Sequence, residues 1–309
     1  MGDVNSLSYK IINDESIIRF TKSSIYNDII EFITNLNKSV VGVEMKPLED
    51  FKLCNENDMI NNDNFLFLSK NVYNIFQLIK NMNKCIDSCP PINQSSRFGN
   101  RGFQHFCDAY YKEVDEYLPH ALSESNIPNI SEHTYQISYY LKNSIGNKKR
   151  IDYGTGHELN FLLFLFCLNK INFFIPSDYK HLVLVLYRQY LFVYYILCVN
   201  CFFFLFFFFF SCFFKYYIKM FFINFKKIKK KQFPIYLTQH RIITVFLIFI
   251  YFINLKDCFH INNSRILSDV DKHRGLEKIC NGLLKMYQAE IIQKRQILQH
   301  ILFGNLIDF

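Results

Sequence analysis

The chain of 309 residues contains no tryptophan, although it carries 35 phenylalanines. Between Val199 and Pro234 it also contains no acidic residue, while seven lysines fall there (Lys215, Lys219, Lys226, Lys227, Lys229, Lys230 and Lys231). Those lysines account for all but one of the net charge of +8. The basic balance is therefore local, and it gives no nucleic-acid footprint on the rest of the chain. No apolar run follows the polar opening "MGDVNSLSYKIINDES", so no secretory signal is expected. Gly2 and Ser6 fit a myristoylation pattern only superficially, because nothing basic lies nearby. The ten cysteines are scattered through a chain long enough to bury a sizeable core without staples, so the expected compartment is the reducing cytosol. Cys198 and Cys201 form a CxxC with no second pair and no ligand-spaced histidine, and zinc needs four ligands. No metal site is predicted.

Alternating strand patterns separated by hairpin turns are likewise missing, and helical periodicity takes their place. In residues 24–43, Ile25, Ile29, Ile30, Ile33 and Leu36 recur at three- and four-residue steps. In residues 72–86, Val72, Ile75, Leu78, Ile79 and Met82 repeat the pattern. Pro90 and Pro91 force an extended entry, after which a helix is expected from about Asn100. Residues 121–132 read as a surface connection, and residues 134–146 as a helix ending at Gly146. The predicted class is all-α.

One short stretch carries chemistry. "RIDYGTGHE" (150–158) places Arg150 and two glycines just before an apolar run. Thr155 and Glu158 have the spacing of a capping box opening a helix that runs to about Ile171. A helix start presents unpaired amides and partial positive charge. Gly154 and Gly156 would let a ligand approach the backbone, and Arg150 adds a permanent cation suited to phosphate. The spacing is neither a P-loop nor a dinucleotide fingerprint. A helix cap alone and an anion site both fit these residues.

Three segments occur in order: "PPINQSSRFGNRGF" (90–103), "RIDYGTGHE" with its apolar helix, and "NGLLKMYQAEIIQKRQILQHILFGNL" (281–306). Together they resemble the phosphotyrosyl phosphatase activator family, the activators of serine/threonine protein phosphatase 2A. "YNDIIEFITNLNKSVVG" and "LVLVLYRQYL" (182–191) are similar to further parts of the same family. The resemblance runs from about residue 15 to 197 and resumes at about 246. It implies an all-helical domain of core, linker and lid parts that binds the phosphatase catalytic subunit. It also implies ATP-assisted activation and peptidyl-prolyl cis/trans isomerase activity on Pro-containing segments. By the same resemblance Arg150, Thr155 and Gly156 would contact ATP phosphates, and Gln299 and His300 would form a second nucleotide contact. The family's lysine two residues after that histidine is replaced by Leu302, which removes one phosphate-facing charge. The 18–20 kcal/mol barrier to peptide-bond rotation needs an apolar, preorganised pocket rather than a nucleophile, so no catalytic acid or base is nominated. A phosphatase-binding chaperone that isomerises nothing is the alternative. Arg97 and Arg101 in "SSRFGNRGF" are read as structural or partner-facing.

Where this family has a tryptophan- and glycine-containing stretch of the type AGSHGVWGLDD, whose acidic residues help to hold Mg, the chain departs. Residues 191–214 carry no charge over a length that could span a bilayer, and the lysines follow. Phe, Lys, Ile, Tyr and Asn are all encodable by codons of A and T alone. The segment thus fits a retained intron or misjoined exon, and it also fits a genuine transmembrane insertion that would make the chain a single-span membrane protein. The expected organisation is a flexible 1–14, an activator-like part 15–198, an atypical insertion 199–245, and a second activator-like part 246–309. Residues 242–255 are too short to span and read as a core helix. The family's pattern continues beyond the position of Phe309.

Overall fold

The computed structural model describes residues 7–41, 43, 48–53, 66–94, 99–123, 127, 130–199 and 276–309. The atypical 199–245 segment except Val199, most of the 191–214 run, the 242–255 helix, Arg97, Cys201 and the Gly2–Ser6 motif lie outside them, as does the side chain of Cys198. Among the described residues no helix is long and apolar enough to cross a membrane.

The architecture is mostly helical, as the periodicity predicts. Helix α1 (Asp14–Thr21) starts at a capping box in which Asn13 accepts from the Ser16 amide at 2.9 Å and the Ser16 hydroxyl accepts from the Asn13 amide. Helix α2 (Ser24–Ser39) and helix α3 (Lys70–Ser88) begin at Ser23 and Ser69, whose side chains accept from amides three residues on. The apolar stripes read from the sequence are largely the buried faces: Ile25, Ile29, Ile33 and Leu36 on α2, with Ile30 only partly buried, and Val72, Ile75, Leu78, Ile79 and Met82 on α3. Helix α4 (Gly102–Ser123) packs on α3 and α5 (Ile130–Asn143) on α4. The stretch expected as a surface connection from 121 is partly helical, because Ala121 and Leu122 are buried and carry α4 to Ser123. Helix α5 likewise starts four residues earlier than its stripe indicated. Gly146 follows it with φ 126°, a left-handed conformation that side-chain-bearing residues rarely adopt.

Helix α6 (Thr155–Lys170) is buried over nearly its whole length, from Glu158 to Leu168. A helix apolar on all sides belongs at the centre of a bundle, and α5 packs along it. Helix α7 (Tyr179–His181) continues through a π-helical stretch, Leu182–Tyr187, into α8 (Arg188–Val199). Helix α9 (Leu276–Tyr287) runs into a second π-helical stretch, Gln288–Ile292, followed by α10 (Arg295–Leu298).

Among the described residues, four very short strands accompany the helices. Strand β1 (Ser8–Tyr9) pairs antiparallel with β4 (Leu302–Phe303), and β2 (Phe51–Leu53) pairs parallel with β3 (Leu66–Leu68). Two or three residues leave no room for an alternating pattern to show in the sequence. The β1–β4 pair ties the N-terminal segment to the C-terminal arm, next to an ion pair between Lys10 and Asp308.

Candidate functional site

The turn before α6 is built by Asn147. Its side-chain oxygen accepts from the amides of Lys149 (3.0 Å) and Arg150 (2.8 Å), while its backbone exchanges bonds with Ile151 and Asp152. Ile151 sits at φ 54°, an uncommon conformation for a β-branched residue, between Arg150 and Asp152. The tight turn brings those two together: Arg150 Nε donates to Asp152 Oδ2 at 2.7 Å on the exposed surface. The nominated cation thus has an anionic neighbour that sequence reasoning did not single out. The signal was present in the i, i+2 spacing of Arg150 and Asp152.

The capping box does not form. Gly154 is the N-cap and supplies no side-chain bond, and Thr155 is the first helical residue, buried. Glu158 is itself buried, 3% exposed, within electrostatic reach of the buried tyrosines Tyr153, Tyr187, Tyr190 and Tyr287. Burial and this carboxylate push all four phenols well above their ordinary range. The Tyr153 and Tyr190 hydroxyls lie 2.7 Å apart, and Tyr190 Oη is also 2.8 Å from the Ser144 carbonyl, to which it donates. The Tyr190 ring stacks on Phe161 at 3.9 Å.

His157, quoted within the motif but given no role there, faces the turn. Its Nδ1 lies 2.6 Å from the carbonyl oxygen of Asn143, which makes Nδ1 the protonated nitrogen, and its ring stacks on Tyr153 with centroids 5.7 Å apart. Burial holds its pKa below the usual histidine range. The Asn143 carbonyl and Asp152 oppose that shift, and Arg150 and His300 add to it.

The two segments separated by more than 140 positions meet here. Ile297 packs over Gly156, where an added Cβ would lie 3.7 Å from its Cγ2. Helix α10 packs on α6, and His300 is within electrostatic reach of His157. Gln299 Nε2 lies 3.3 Å from His300 Nε2, and the His300 ring is exposed. Among the contacts that hold the C-terminal arm there, Tyr140 Oη donates to the Leu302 carbonyl at 2.6 Å, the Leu306 amide to Gln136 Oε1 at 3.0 Å, and Gln293 Nε2 to Tyr26 Oη at 2.7 Å. Thus the segment carrying Gln299 and His300 packs against Gly156 at one end of α6, Arg150 and His300 both lie within electrostatic reach of His157 there, and Thr155 is buried. Among the described residues no group of three or more His, Cys, Asp or Glu side chains converges as a metal would require.

Comparison with known proteins gives consistent matches. The family model described as "Phosphotyrosyl phosphate activator (PTPA) protein" matches residues 7–200 and 196–309, so its second match begins before the atypical segment and runs through it. A "Probable serine/threonine-protein phosphatase 2A activator 2" of Dictyostelium discoideum is 28% identical over 319 residues, covering 97% of this chain and 64% of its own length. The corresponding "activator 1" of that organism is 27% identical and is covered over 89% of its length. A "Serine/threonine-protein phosphatase 2A activator 2" of Schizosaccharomyces pombe is 29% identical over 311 residues, with 96% of this chain and 82% of that protein covered. Among solved structures, the crystal structure of the PP2A phosphatase activator Ypa1 PTPA1 superimposes with a TM-score of 0.56 at 22% identity, over 97% of this chain and 93% of that one. That likeness shows a shared fold.

Proposed function

This chain belongs to the phosphotyrosyl phosphate activator (PTPA) family, and we propose that it binds the catalytic subunit of serine/threonine protein phosphatase 2A and activates it. The finer reading is ATP-assisted activation with peptidyl-prolyl cis/trans isomerase activity, carried out in the cytoplasm, with the nucleus as a further compartment. The family match supports the activator role, together with relatives named as phosphatase 2A activators over nearly the whole of this chain.

One observation carries the nucleotide reading: Arg150 with Gly156, and Gln299 with His300, come from distant parts of the chain yet face the same end of α6. The donor set fits a phosphate anion. At the start of α6 the His157 amide already donates to the Gly154 carbonyl at 2.9 Å, Arg150 is an exposed guanidinium paired with Asp152, and no side-chain carboxylate of α6 itself points out there. ATP bound there would supply a polyanion whose phosphates Arg150, Gly156, Gln299 and His300 hold.

The test is an assay of the phosphatase catalytic subunit with and without this protein, at several ATP concentrations, beside a Pro-peptide isomerisation assay. Activation that rises with ATP is the expected result. An unchanged phosphatase rate and no co-elution with the catalytic subunit would overturn the activator reading. A peptide rate equal to the blank would overturn the isomerase reading and leave a non-enzymatic phosphatase chaperone.

A further inference from the structure

The last turn of α3 carries two thiols, Cys85 and Cys89, four residues apart and both reduced. Pro90 and Pro91 follow, and a residue before proline is disfavoured in helical backbone. The helix therefore stops at Ser88, and Cys89 is its C-cap at φ −125°, ψ 71°. A backbone bond still holds Cys89 to the turn, its amide donating to the Ile86 carbonyl at 3.1 Å. Ser88 joins the two cysteines: its hydroxyl donates to the Cys85 carbonyl at 3.0 Å and lies 3.7 Å from Cys89 Sγ. The two thiols differ in access, Cys85 being 9% exposed and Cys89 half-buried. Burial first, then the Glu113 carboxylate and Cys89, push the Cys85 thiol up to about 11, so it keeps its proton near neutral pH. Cys107 on α4 and Cys167 on α6 are by contrast fully buried.

We propose that Cys85 and Cys89 are a peroxide-responsive dithiol that closes to a disulfide at the end of α3. Residues four apart on an α-helix have Cα atoms about 6 Å apart, within the roughly 4.4–6.8 Å that a disulfide spans. Their Cβ atoms stand about 5–6 Å apart, against roughly 3.5–4.5 Å in the closed bond, so one end has to move. Cys89 is the end that can, because it has already left helical backbone. As thiolate, the reachable Cys89 sulfur attacks one oxygen of hydrogen peroxide and the O–O bond breaks. The departing hydroxide takes up a proton and leaves as water, and Cys89 becomes a sulfenic acid. The Cys85 sulfur then attacks the Cys89 sulfur, the S–O bond breaks, and the hydroxide leaves with the Cys85 proton as a second water. The two thiols lose two electrons and the peroxide gains them. In a reducing compartment, exchange with a small thiol reopens the pair. The closed bond also reaches α4. The Ile92 amide donates to Asn100 Oδ1 at 2.9 Å, its carbonyl accepts from Asn100 Nδ2 at 2.7 Å, and the same Oδ1 accepts from the Gly102 amide at 2.8 Å. Moving Cys89 therefore pulls on the segment that starts α4.

Trypsin cuts after Lys84 and Arg97, so one peptide, 85–97, holds both cysteines and no other. The full chain is reduced, exposed to a small excess of hydrogen peroxide, denatured, alkylated with iodoacetamide and digested for mass spectrometry. The expected product is this peptide without alkyl groups and lighter by a pair of hydrogens, returning to the doubly alkylated form after dithiothreitol. Cys89→Ser, at the half-buried position, should abolish that product. Cys85→Ala, which keeps a small apolar group in the core, should stop at the Cys89 sulfenic acid, captured there by dimedone. Amide exchange of the oxidised chain should differ from that of the reduced chain at Ile92 and over 99–102. Peptide 85–97 bearing two alkyl groups after peroxide, or Cys89 linked to another cysteine, overturns the proposal. So does oxidation of Cys89 to sulfinic acid as fast in the parent as in Cys85→Ala, since Cys85 then resolves nothing. Unchanged amide exchange beside a closed disulfide overturns the link to α4 and leaves the dithiol standing.

Discussion

At the residue scale, the pairing of Arg150 with Asp152 decides what each substitution does. A charge-assisted contact to phosphate contributes about 1.5–3 kcal/mol, so Arg150→Ala should weaken ATP binding roughly ten- to a hundredfold in a titration. The ion pair it breaks is exposed and contributes about 0–1 kcal/mol, so the melting temperature should barely move. Asp152→Asn makes the opposite prediction: freed of its competing carboxylate, Arg150 should bind ATP several-fold more tightly. Equal affinity in all three proteins would mean that the turn only starts a helix. His181 has a separate pH signature. It is buried, its Nδ1 meets no hydrogen-bond partner among the described residues, and its ring edge faces Phe51 at 6.2 Å. Burial, with Lys180 adding and Asp178 opposing, lowers its pKa to about 4. Because the unfolded chain takes up the proton near pH 6.5, stability is intact above that pH and is lost as pH falls from 6.5 towards 4. Denaturant midpoints should show His181→Leu losing roughly 1–3 kcal/mol less than the parent over that interval.

At the scale of elements, the C-terminal arm is a short strand and a helical turn laid against α5 and α6, and close approach at Gly304 makes that possible. Its backbone is extended at φ −142°, which any residue adopts, so the requirement is space. A Cβ there would sit 2.7 Å from Leu7 Cδ2 and 2.8 Å from Gln136 Oε1. Gln136 cannot give way freely, since that oxygen accepts from the Leu306 amide and its Nε2 donates to Tyr140 Oη. Gly304→Ala should therefore cost about 1–3 kcal/mol in thermal or denaturant unfolding. It should also loosen the arm that carries Gln299 and His300, with faster amide exchange across 297–307. An unchanged exchange pattern would show that the arm is held elsewhere.

At the scale of the whole molecule, the two chain ends form one clasp. Strand β1 pairs with β4, Lys10 meets Asp308, and Arg295 donates to Asp14 at 3.2 Å and to the Ile12 carbonyl at 2.9 Å. Ile11 beneath them is 2% exposed. Removing residues 1–12 deletes that buried side chain, which contributes about 1.5–3 kcal/mol, together with the ladder to β4. The melting temperature should fall by roughly 3–10 °C. ATP affinity should fall with it, because the arm that carries His300 loses one of its supports. A truncated chain that melts and binds ATP like the parent would show that the clasp is ornamental.

The helices, their buried faces and the motif before α6 were legible in the sequence because they are local. Periodicity of 3.6 residues fixes which side of α2 and α3 is apolar whatever they pack against. The apolar residues from Phe161 to Leu168 leave α6 without a polar face, and the structure buries them all. The sequence also carried, through its motifs, the resemblance to the activator family. Three things were decided only by the tertiary structure. Thr155 and Glu158 satisfy the spacing of a capping box, yet the helix starts one residue earlier, with Gly154 as its N-cap, and Glu158 is buried among tyrosines. The β1–β4 pair is two residues long and joins opposite ends of the chain, so it leaves no local pattern. The meeting of Arg150 and Gly156 with Gln299 and His300 depends on how α10 is laid over the start of α6, and no distance along the chain encodes that.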